Sequence, residues 1–294
     1  MRESIDILKK YWGFDFFREK QEAIIESVIK GKDTLALLPT GGGKSLCFQV
    51  PAMQMEGVCL VISPLIALMQ DQVDNLKKKG INAVAINSNM SKRQIDVALD
   101  NAIYGDTKFI YTSPERLKSN LFLARLDKMN INLIAVDEAH CISQWGYDFR
   151  PAYINIVELK KIKSNVPFIA LTATATPDVV IDIQEKLAFK KAHVFQKSFE
   201  RDNVSYITLE TNNKLNRILE FSKKLKGSGI IYCATRRATK DLCKRLLENG
   251  ISANYYHGGL DQKQRKTRQD DWITNKTKII VATNAFGMGI DKPD

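Results

Sequence analysis

The sequence predicts an α/β protein built from mostly parallel sheets with helices on both faces. Short apolar runs rich in β-branched residues recur along the chain, and stretches with helical periodicity separate them. Several of these runs are apolar at every position, which is typical of strands that are covered on both faces. The alternation of strand and helix favours parallel pairing. A length of 294 residues favours two domains of about 150 residues each.

Six strands are predicted in the first two thirds of the chain. They cover residues 34–38, 58–62, 83–86, 109–111, 133–136 and 168–171. Residues 66–79 and 91–103, which lie between predicted strands, place apolar side chains at helical spacing. These patterns together predict one sheet within the first part of the chain.

A polar, charged segment without a clear period, residues 196–203, interrupts this alternation. Predicted strands then resume at residues 204–209, 229–232, 253–256 and 279–282, with predicted helices at 215–225 and 239–249. We therefore predict two domains, residues 1–198 and residues 199–294.

The charge of the chain is basic and unevenly distributed. The 44 basic and 33 acidic side chains give a net charge of +11. Residues 1–198 contribute 26 basic and 22 acidic side chains, whereas residues 199–294 contribute 18 and 11. Such an excess favours a polyanionic partner, because neutralising phosphates releases condensed counterions. On charge alone, a solvated lysine-rich surface explains the excess equally well.

Membrane and secreted classes do not fit the composition. The most apolar run, residues 58–69, contains Ser63 and Pro64 and is shorter than the ~20 residues of a spanning helix. The first ten residues have no secretory core. The five cysteines form no C-x-x-C pair, and the chain has three histidines. This argues for reduced thiols in a cytoplasmic protein and against a zinc site or a disulfide framework.

A glycine-rich segment follows the first predicted strand and precedes a helical pattern. It consists of Thr40, Gly41, Gly42, Gly43, Lys44 and Ser45. Its glycines allow backbone N–H groups to point at phosphate oxygens, while the lysine reaches the β- and γ-phosphates and the serine hydroxyl holds Mg²⁺. Leu38 stands where the full G-x-x-x-x-G-K-[ST] pattern has its first glycine. The alternative is a glycine-rich turn that binds nothing.

Two carboxylates follow the buried strand at residues 133–136. Asp137 and Glu138 would lie at the carboxyl end of that strand, where open parallel sheets bind their ligands. Asp137 is predicted to hold Mg²⁺ through water, and Glu138 to orient or deprotonate an attacking water molecule. An isolated Asp-Glu pair is more often a solvated strand end, so the prediction depends on its pairing with the phosphate loop.

Several segments together resemble the RecQ family of superfamily 2 helicases. Pro39–Ser45 and Asp137–His140 are similar to the phosphate-binding and DEAH motifs of that superfamily. The narrower resemblance to RecQ is carried by residues 14–21, 61–72, 111–116, 139–151, 171–176, 229–236, 256–260 and 281–293. The resemblance covers essentially the whole chain and implies two RecA-like lobes, the second of them incomplete.

For the nucleotide, the resemblance implies ATP with Mg²⁺. The implied catalytic residues are Lys44, Asp137, Glu138 and His140, with Ser45 and Asp137 at the metal. Besides the phosphate loop, the implied nucleotide-binding residues are Phe14, Arg18, Gln21, Gly289 and Asp291. Within this set, Phe14 would stack on the adenine, Gln21 would read its edge and Arg18 would support both.

For the nucleic acid, the resemblance implies contacts from both lobes. The implied residues are Ser63, Pro64, Ser113, Trp145, Phe149, Arg150, Thr235, Arg236 and Thr283. The aromatic-rich loop at residues 139–151 offers two flat faces for unpaired bases. The alternatives are that Trp145 and Phe149 pack a loop under the core, that Thr235 caps a helix and that His257 is a satisfied turn histidine.

The implied function is ATP-driven translocation on single-stranded DNA, 3′ to 5′, with unwinding of duplex or branched DNA in repair and recombination. The chain ends at Asp294, before the Gln-x-x-Gly-Arg-x-Gly-Arg segment and the zinc subdomain of the family. We therefore expect a fragment of a longer protein that binds Mg-ATP, hydrolyses it near background and does not unwind. No oligomeric state is predicted.

Three other functions are open at this point. A DEAD-box-like RNA helicase has the same lobes, but the DEAH ending and residues 144–151 disfavour it. A small-molecule kinase would need an acceptor pocket and no second lobe. A nucleotide- or nucleic-acid-binding module without catalysis is the third alternative for this chain.

Overall fold

The computed structural model describes residues 1–39, 41–145, 148–173, 175–189, 193–197, 204–287 and 292. The chain forms two compact units, Met1–Arg201 and Asp202–Asp294. The predicted boundary at residues 198 and 199 falls on residues 198–203, outside the described residues, and stays a prediction.

The first unit contains a seven-stranded parallel sheet. Its strands in chain order are β1 (Thr34–Leu37), β2 (Val58–Ile62), β3 (Ala83–Ile86), β4 (Phe109–Thr112), β5 (Ile131–Val136), β6 (Phe168–Thr172) and β7 (His193–Gln196). Their order across the sheet is β3-β4-β2-β5-β6-β1-β7. All six predicted strands are present, within two residues at each end. The seventh, β7, pairs with β1 at the edge of the sheet and was not predicted.

Helices cover this sheet on both faces. They are α1 (Arg2–Trp12), α2 (Gln21–Ile29), α3 (Leu46–Gln54), α4 (Ile66–Lys78), α5 (Lys92–Tyr104), α6 (Asn120–Lys128), α7 (Leu159–Ile162) and α8 (Pro177–Lys186). Three 3-10 helices span Pro114–Lys118, Ala139–Ile142 and Pro151–Glu158. Successive residues of one strand enter opposite apolar layers, as Cys59 and Leu60 of β2 do. Burial of both faces explains why the strands read as continuous apolar runs.

The second unit contains three parallel strands, β8 (Gly229–Tyr232), β9 (Ala253–Tyr256) and β10 (Ile279–Ala282), in the order β8-β10-β9. Its helices are α9 (Lys214–Lys224), α10 (Arg236–Glu248) and α11 (Gln262–Ile273). Residues of the central strand β10 alternate between two apolar clusters. The predicted α/β class, with parallel sheets covered on both faces, is thereby confirmed.

The prediction of a strand at residues 204–209 is wrong. The segment has no regular secondary structure, and Tyr206 is 87% exposed. Its β-branched and aromatic side chains match the composition of a strand. Composition does not form a strand unless a neighbouring strand edge supplies hydrogen bonds and packing, and no strand pairing includes this segment in the described part of the chain.

Across the part of the chain that the structure describes, we find no helix with the length and apolar character needed to cross a membrane.

A buried amide and the ammonium group of Lys108 both bind carbonyl groups of the connection from α3 to β2. The Asn132 side chain donates hydrogen bonds to the carbonyl oxygens of Ala52, Met55 and Gly57, at 3.1, 3.0 and 3.2 Å. Gly57 has a φ of +101°. A Cβ atom there would lie 2.4 Å from the carbonyl oxygen of Asn130, which accepts the hydrogen bond from the Val58 N–H. This turn therefore requires glycine on both conformational and steric grounds.

We expect Gly57→Ala to lower the free energy of unfolding by at least about 3 kcal/mol, because it adds a backbone clash to an unfavourable φ. Gly80→Ala is the matched control: Gly80 has a φ of +75° and open space where a Cβ would lie. It should cost only about 1 kcal/mol. Urea unfolding of both variants measures the difference, and equal losses would show that the contact with Asn130 is relieved at no cost.

Candidate functional site

The glycine-rich segment connects β1 to α3 and has a conformation that only glycine adopts readily. Gly41 and Gly43 both have a φ of +75°. Within it, the Gly42 N–H donates to the carbonyl oxygen of Pro39 at 2.9 Å, and the Lys44 ammonium donates to the carbonyl oxygen of Leu38 at 3.3 Å. Thr40 lies outside the described residues. The loop folds back on itself at the carboxyl end of β1, as a phosphate-binding loop does.

Two side chains bind the backbone carbonyl groups of this loop: Gln21 at the start of α2 and Arg18 just before it. The Gln21 amide donates to the carbonyl oxygens of Gly42 and Gly43 at 3.3 and 3.1 Å, and the Arg18 guanidinium donates to the carbonyl oxygen of Gly41. The Gln21 nitrogen would lie 2.3 Å from a Cβ atom on Gly43, so this approach also needs glycine. Because Arg18 and Gln21 bind the carbonyl oxygens of the three loop glycines, they fix the orientation of the loop's peptide groups.

Two of the three predicted adenine-contacting residues, Arg18 and Gln21, are thus placed beside the phosphate loop. Gln21 is buried and its carbonyl oxygen accepts from the Arg18 N–H at 2.8 Å. Phe14 is exposed. In this structure the Gln21 side-chain amide binds the phosphate loop. Its hydrogen bonding to the edge of an adenine stays a prediction.

The carboxylate pair lies at the end of β5, on the same edge of the sheet as the phosphate loop. The Asp137 N–H donates to the carbonyl oxygen of Ile62 at 2.8 Å, which continues the ladder between β5 and β2. One Asp137 carboxylate oxygen accepts from the Glu138 N–H at 3.0 Å, and the other accepts from the Ser63 hydroxyl at 3.5 Å. Glu138 itself has a left-handed backbone, with φ 47° and ψ 47°. Backbone strain at such a position accompanies functional sites.

Burial sets the charge state of this pair. Burial, followed by the charge of Glu138, raises the pKa of Asp137 to about 6. Burial also raises the pKa of Glu138. The ammonium of Lys44 opposes both shifts, so it lies close enough to act on both carboxyls. The site therefore contains two carboxyls whose pKa values are raised, with the ammonium group of Lys44 near both.

His140 connects the carboxylates to the next strand. Its Nδ1 atom lies 2.8 Å from the Thr172 hydroxyl at the end of β6 and 3.3 Å from a carboxylate oxygen of Glu138. Burial lowers the pKa of His140, which favours the neutral ring near pH 7. A neutral ring that carries its proton on Nδ1 can donate to either of these oxygen atoms without adding a charge.

The residues present fit a magnesium ion that is shared with phosphate. In the described residues, no three His, Cys, Asp or Glu side chains form a group able to hold a metal. Ser45 precedes α3 and Asp137 follows β5, and each offers oxygen, the ligand that Mg²⁺ prefers. Magnesium usually keeps several waters and binds through one or two carboxylates plus substrate phosphates, and a site of this kind matches that pattern.

The aromatic-rich loop begins directly after His140. Trp145 is 77% exposed, which excludes packing under the core for this side chain. Phe149 is half-buried, and the Lys186 ammonium lies 5.9 Å from the centre of its ring. Gly146 and Tyr147 lie outside the described residues. Of the two predicted aromatic contacts, Trp145 therefore presents a free face.

Arg150 anchors this loop to a second predicted nucleic-acid segment. Its guanidinium donates to the carbonyl oxygen of Pro64 at 2.9 Å and forms an ion pair with Asp148 at 3.0 Å. Ser63 precedes that proline, is buried, and donates to Asp137. Ser113 begins the 3-10 helix after β4. The structure thus brings Ser63, Pro64 and Arg150 together beside the carboxylate pair.

The predicted residues of the second unit have local structural roles. Thr235 caps α10 by accepting from the Ala238 N–H at 3.1 Å, as its alternative interpretation requires. Arg236 is exposed. The Thr283 N–H donates to the carbonyl oxygen of Tyr256 at 3.1 Å. Gly289 and Asp291 lie outside the described residues.

His257 does not fit the interpretation of a satisfied turn histidine. The side chain is buried, and neither ring nitrogen has a hydrogen-bond partner among the described residues. Burial, together with the charges of Lys240, Arg236 and Arg268, lowers the pKa of His257.

Sequence reasoning missed Tyr153. This fully buried residue donates from its hydroxyl to the backbone carbonyl oxygen of Asp137 at 2.9 Å, and so helps to fix the strained turn. No motif marks it, since its contribution depends on a contact between two segments that the fold brings together.

Two family profiles match the chain. That of the DEAD/DEAH box helicase matches residues 18–183, and that of the helicase conserved C-terminal domain matches residues 210–294.

Curated relatives include the probable ATP-dependent DNA helicase RecS of Bacillus subtilis, which is 42% identical over 98% of this chain and 58% of the relative. The ATP-dependent DNA helicase RecQ of the same organism is 44% identical over 97% of this chain and 49% of its own length. This chain thus spans about half the length of the curated relatives it matches.

Among solved structures, the helicase Lhr of Mycobacterium smegmatis, bound to single-stranded DNA and AMP-PNP, has a TM-score of 0.69 and 20% identity. The alignment covers 95% of this chain and 41% of the Lhr chain. A likeness at this identity supports the fold.

Because the pKa of Asp137 is raised from 3.8 to about 6, the folded state of the metal-free protein binds that proton more tightly than the unfolded chain does. The contribution of Asp137 to stability is therefore lost as the pH rises from about 4 to about 6. Asp137→Asn cannot ionise, so we expect it to raise the free energy of unfolding at pH 7.5 by about 1–3 kcal/mol, and by less at pH 4.5.

Urea unfolding in the presence of a chelator, at both pH values, measures this gain. Asp6→Asn, at an exposed carboxylate of α1, is the control and should show no pH-dependent gain. A gain for Asp137→Asn that is the same at both pH values would contradict the burial argument.

Proposed function

This chain belongs to the DEAD/DEAH box helicase family and, within it, to the RecQ branch, and we propose on that basis that it is the motor region of an ATP-dependent DNA helicase. The observation that carries the proposal is geometric: the phosphate loop after β1 and the carboxylate pair after β5 occupy one edge of one sheet. The exposed Trp145 belongs to the loop that continues from the same carboxylate segment. The proposed process is translocation on single-stranded DNA and unwinding of branched DNA in repair and recombination.

In this proposal the triphosphate of ATP lies on the backbone N–H groups of residues 41–45, with the Lys44 ammonium at the β- and γ-phosphates. Ser45 and Asp137 would hold Mg²⁺, which when bound neutralises phosphate charge. The added positive charge would favour the ionised form of both half-buried carboxyls.

Glu138 is the proposed general base. Its raised pKa makes the carboxylate a stronger base than a solvated glutamate, which suits proton abstraction from water near neutral pH. His140 lies 3.3 Å from Glu138 and fixes the direction of that carboxylate. The Thr172 hydroxyl at 2.8 Å holds the ring from the next strand.

Single-stranded DNA is the proposed partner of the aromatic loop. Trp145 offers a free face on which a base of any sequence stacks. Arg150 donates a hydrogen bond to the carbonyl oxygen of Pro64, which joins this loop to the segment after β2. Because this loop follows His140 directly, occupancy by DNA is transmitted to the side chain that orients Glu138.

We expect Lys44→Ala to weaken binding of a fluorescent ATP analogue with Mg²⁺ by about 10- to 100-fold, because a charge-assisted hydrogen bond to phosphate contributes about 1.5–3 kcal/mol. Lys78→Ala, at an exposed position of α4, is the matched control and should bind as the wild type does. Equal binding of the ATP analogue by both variants would contradict the proposal that the phosphate loop binds the nucleotide through Lys44.

We expect Trp145→Ala to weaken binding of a labelled oligo-dT by about 5- to 100-fold, since base stacking on an aromatic ring contributes about 1–3 kcal/mol. Tyr104→Ala is the control, because Tyr104 is 80% exposed at the end of α5 and belongs to no predicted contact. Fluorescence anisotropy with DNA and with RNA of the same sequence measures both effects. Tighter binding of RNA would favour the RNA-helicase alternative instead.

A further inference from the structure

A buried amide connects the phosphate-loop helix to two other segments of the first unit. Gln49 lies on the first turn of α3, where its N–H donates to the carbonyl oxygen of Ser45 at 2.9 Å. Its side chain is buried. The side-chain nitrogen donates to the side-chain amide oxygen of Gln72 at 3.1 Å and to the Tyr111 hydroxyl at 3.1 Å. One amide group thus joins α3, α4 and β4.

Both partners belong to segments that approach the proposed DNA surface. Gln72 lies on α4, the helix that follows Ser63 and Pro64. Tyr111 lies on β4, two residues before Ser113. The Gln49 amide therefore connects the helix that follows the nucleotide loop to the two segments that carry the predicted nucleic-acid contacts Ser63, Pro64 and Ser113.

The hydrogen bond between Gln49 and Tyr111 is costly to break because both side chains are buried. Tyr111 is buried, and burial raises the pKa of its phenol, so the group stays a neutral hydroxyl. If α3 shifts and the amide leaves this hydroxyl, a buried polar group loses its partner, and such groups are costly to leave unpaired. Because breaking these hydrogen bonds costs free energy, the position of α3 is tied energetically to those of α4 and β4.

We propose that Gln49 is a positioning residue that couples occupancy of the phosphate loop to the affinity of the Ser63–Pro64 and Ser113 segments for single-stranded DNA. The inference rests on the proposed function, because it assumes that both ligands bind. Gln49 touches neither ligand in this proposal; it acts through Gln72 and Tyr111.

The test is a coupling measurement on the full chain. The dissociation constant of a labelled oligo-dT is measured with and without Mg-AMP-PNP, and the ratio of the two values is the coupling factor. Gln49→Met keeps the length of the side chain and removes both hydrogen bonds. We expect it to bring the coupling factor to within about twofold of one, while the affinity for each ligand alone changes by less than about twofold.

Two further variants separate positioning from folding. Tyr111→Phe removes the hydroxyl and keeps the ring, so it should lower the coupling factor in the same way. Gln54→Met is the matched control on α3, because Gln54 accepts from Ser4 at 2.7 Å and donates to Glu3 at 2.9 Å, both on α1. It should keep the wild-type coupling factor. Thermal unfolding shows whether each variant folds. If either Gln49→Met or Tyr111→Phe does not fold, the coupling factor of the other variant decides the test.

The outcomes distinguish the two levels of the proposal. If the wild-type chain binds neither nucleotide nor DNA, the proposed function fails, and the inference fails with it. If the wild type binds both ligands with a coupling factor of one, or if Gln49→Met and Tyr111→Phe keep the wild-type factor, the inference alone is overturned.

Discussion

Two half-buried carboxyls and one ammonium group share the edge of the seven-stranded sheet, and the remainder of the candidate site depends on this arrangement. Burial raises the pKa of both Asp137 and Glu138, while the charge of Lys44 acts in the opposite direction. Removing charged groups from water is costly unless they are paired. The raised pKa values of both carboxyls are consistent with the proposed ligand, whose divalent cation would favour their ionised forms.

Around this centre, backbone contacts fix the position of each charged group. Arg18 and Gln21 bind the carbonyl groups of the loop, Tyr153 binds the carbonyl of Asp137, and the N–H of Asp137 extends the sheet ladder. Fixed dipoles of this kind need no reorganisation during a reaction. The polar network that orients the site is thus built largely from groups that carry no charge themselves.

The sequence predicted the buried parts of the fold well and the exposed parts poorly. Strands such as 58–62 and 133–136 are apolar at every position because both faces of the sheet are covered. The edge strand β7 alternates between half-buried and exposed side chains over four residues, a pattern too short to separate from a loop. Helix α11 was not predicted either, because it carries few apolar residues and so shows no clear helical period. Likewise, motif spacing predicted which residues meet at the sheet edge, but the contact of Gln21 with Gly43 depends on how two loops pack.

Glu138 stands in a left-handed backbone conformation where glycine would be relaxed. Strain of this kind costs on the order of 1–3 kcal/mol, and the surrounding packing of Tyr153 and the sheet must sustain it. A search for greater thermal tolerance that scores each position by folding energy alone would favour the replacement of this glutamate by glycine. Improved variants of this chain are therefore best selected with a functional readout alongside the melting temperature.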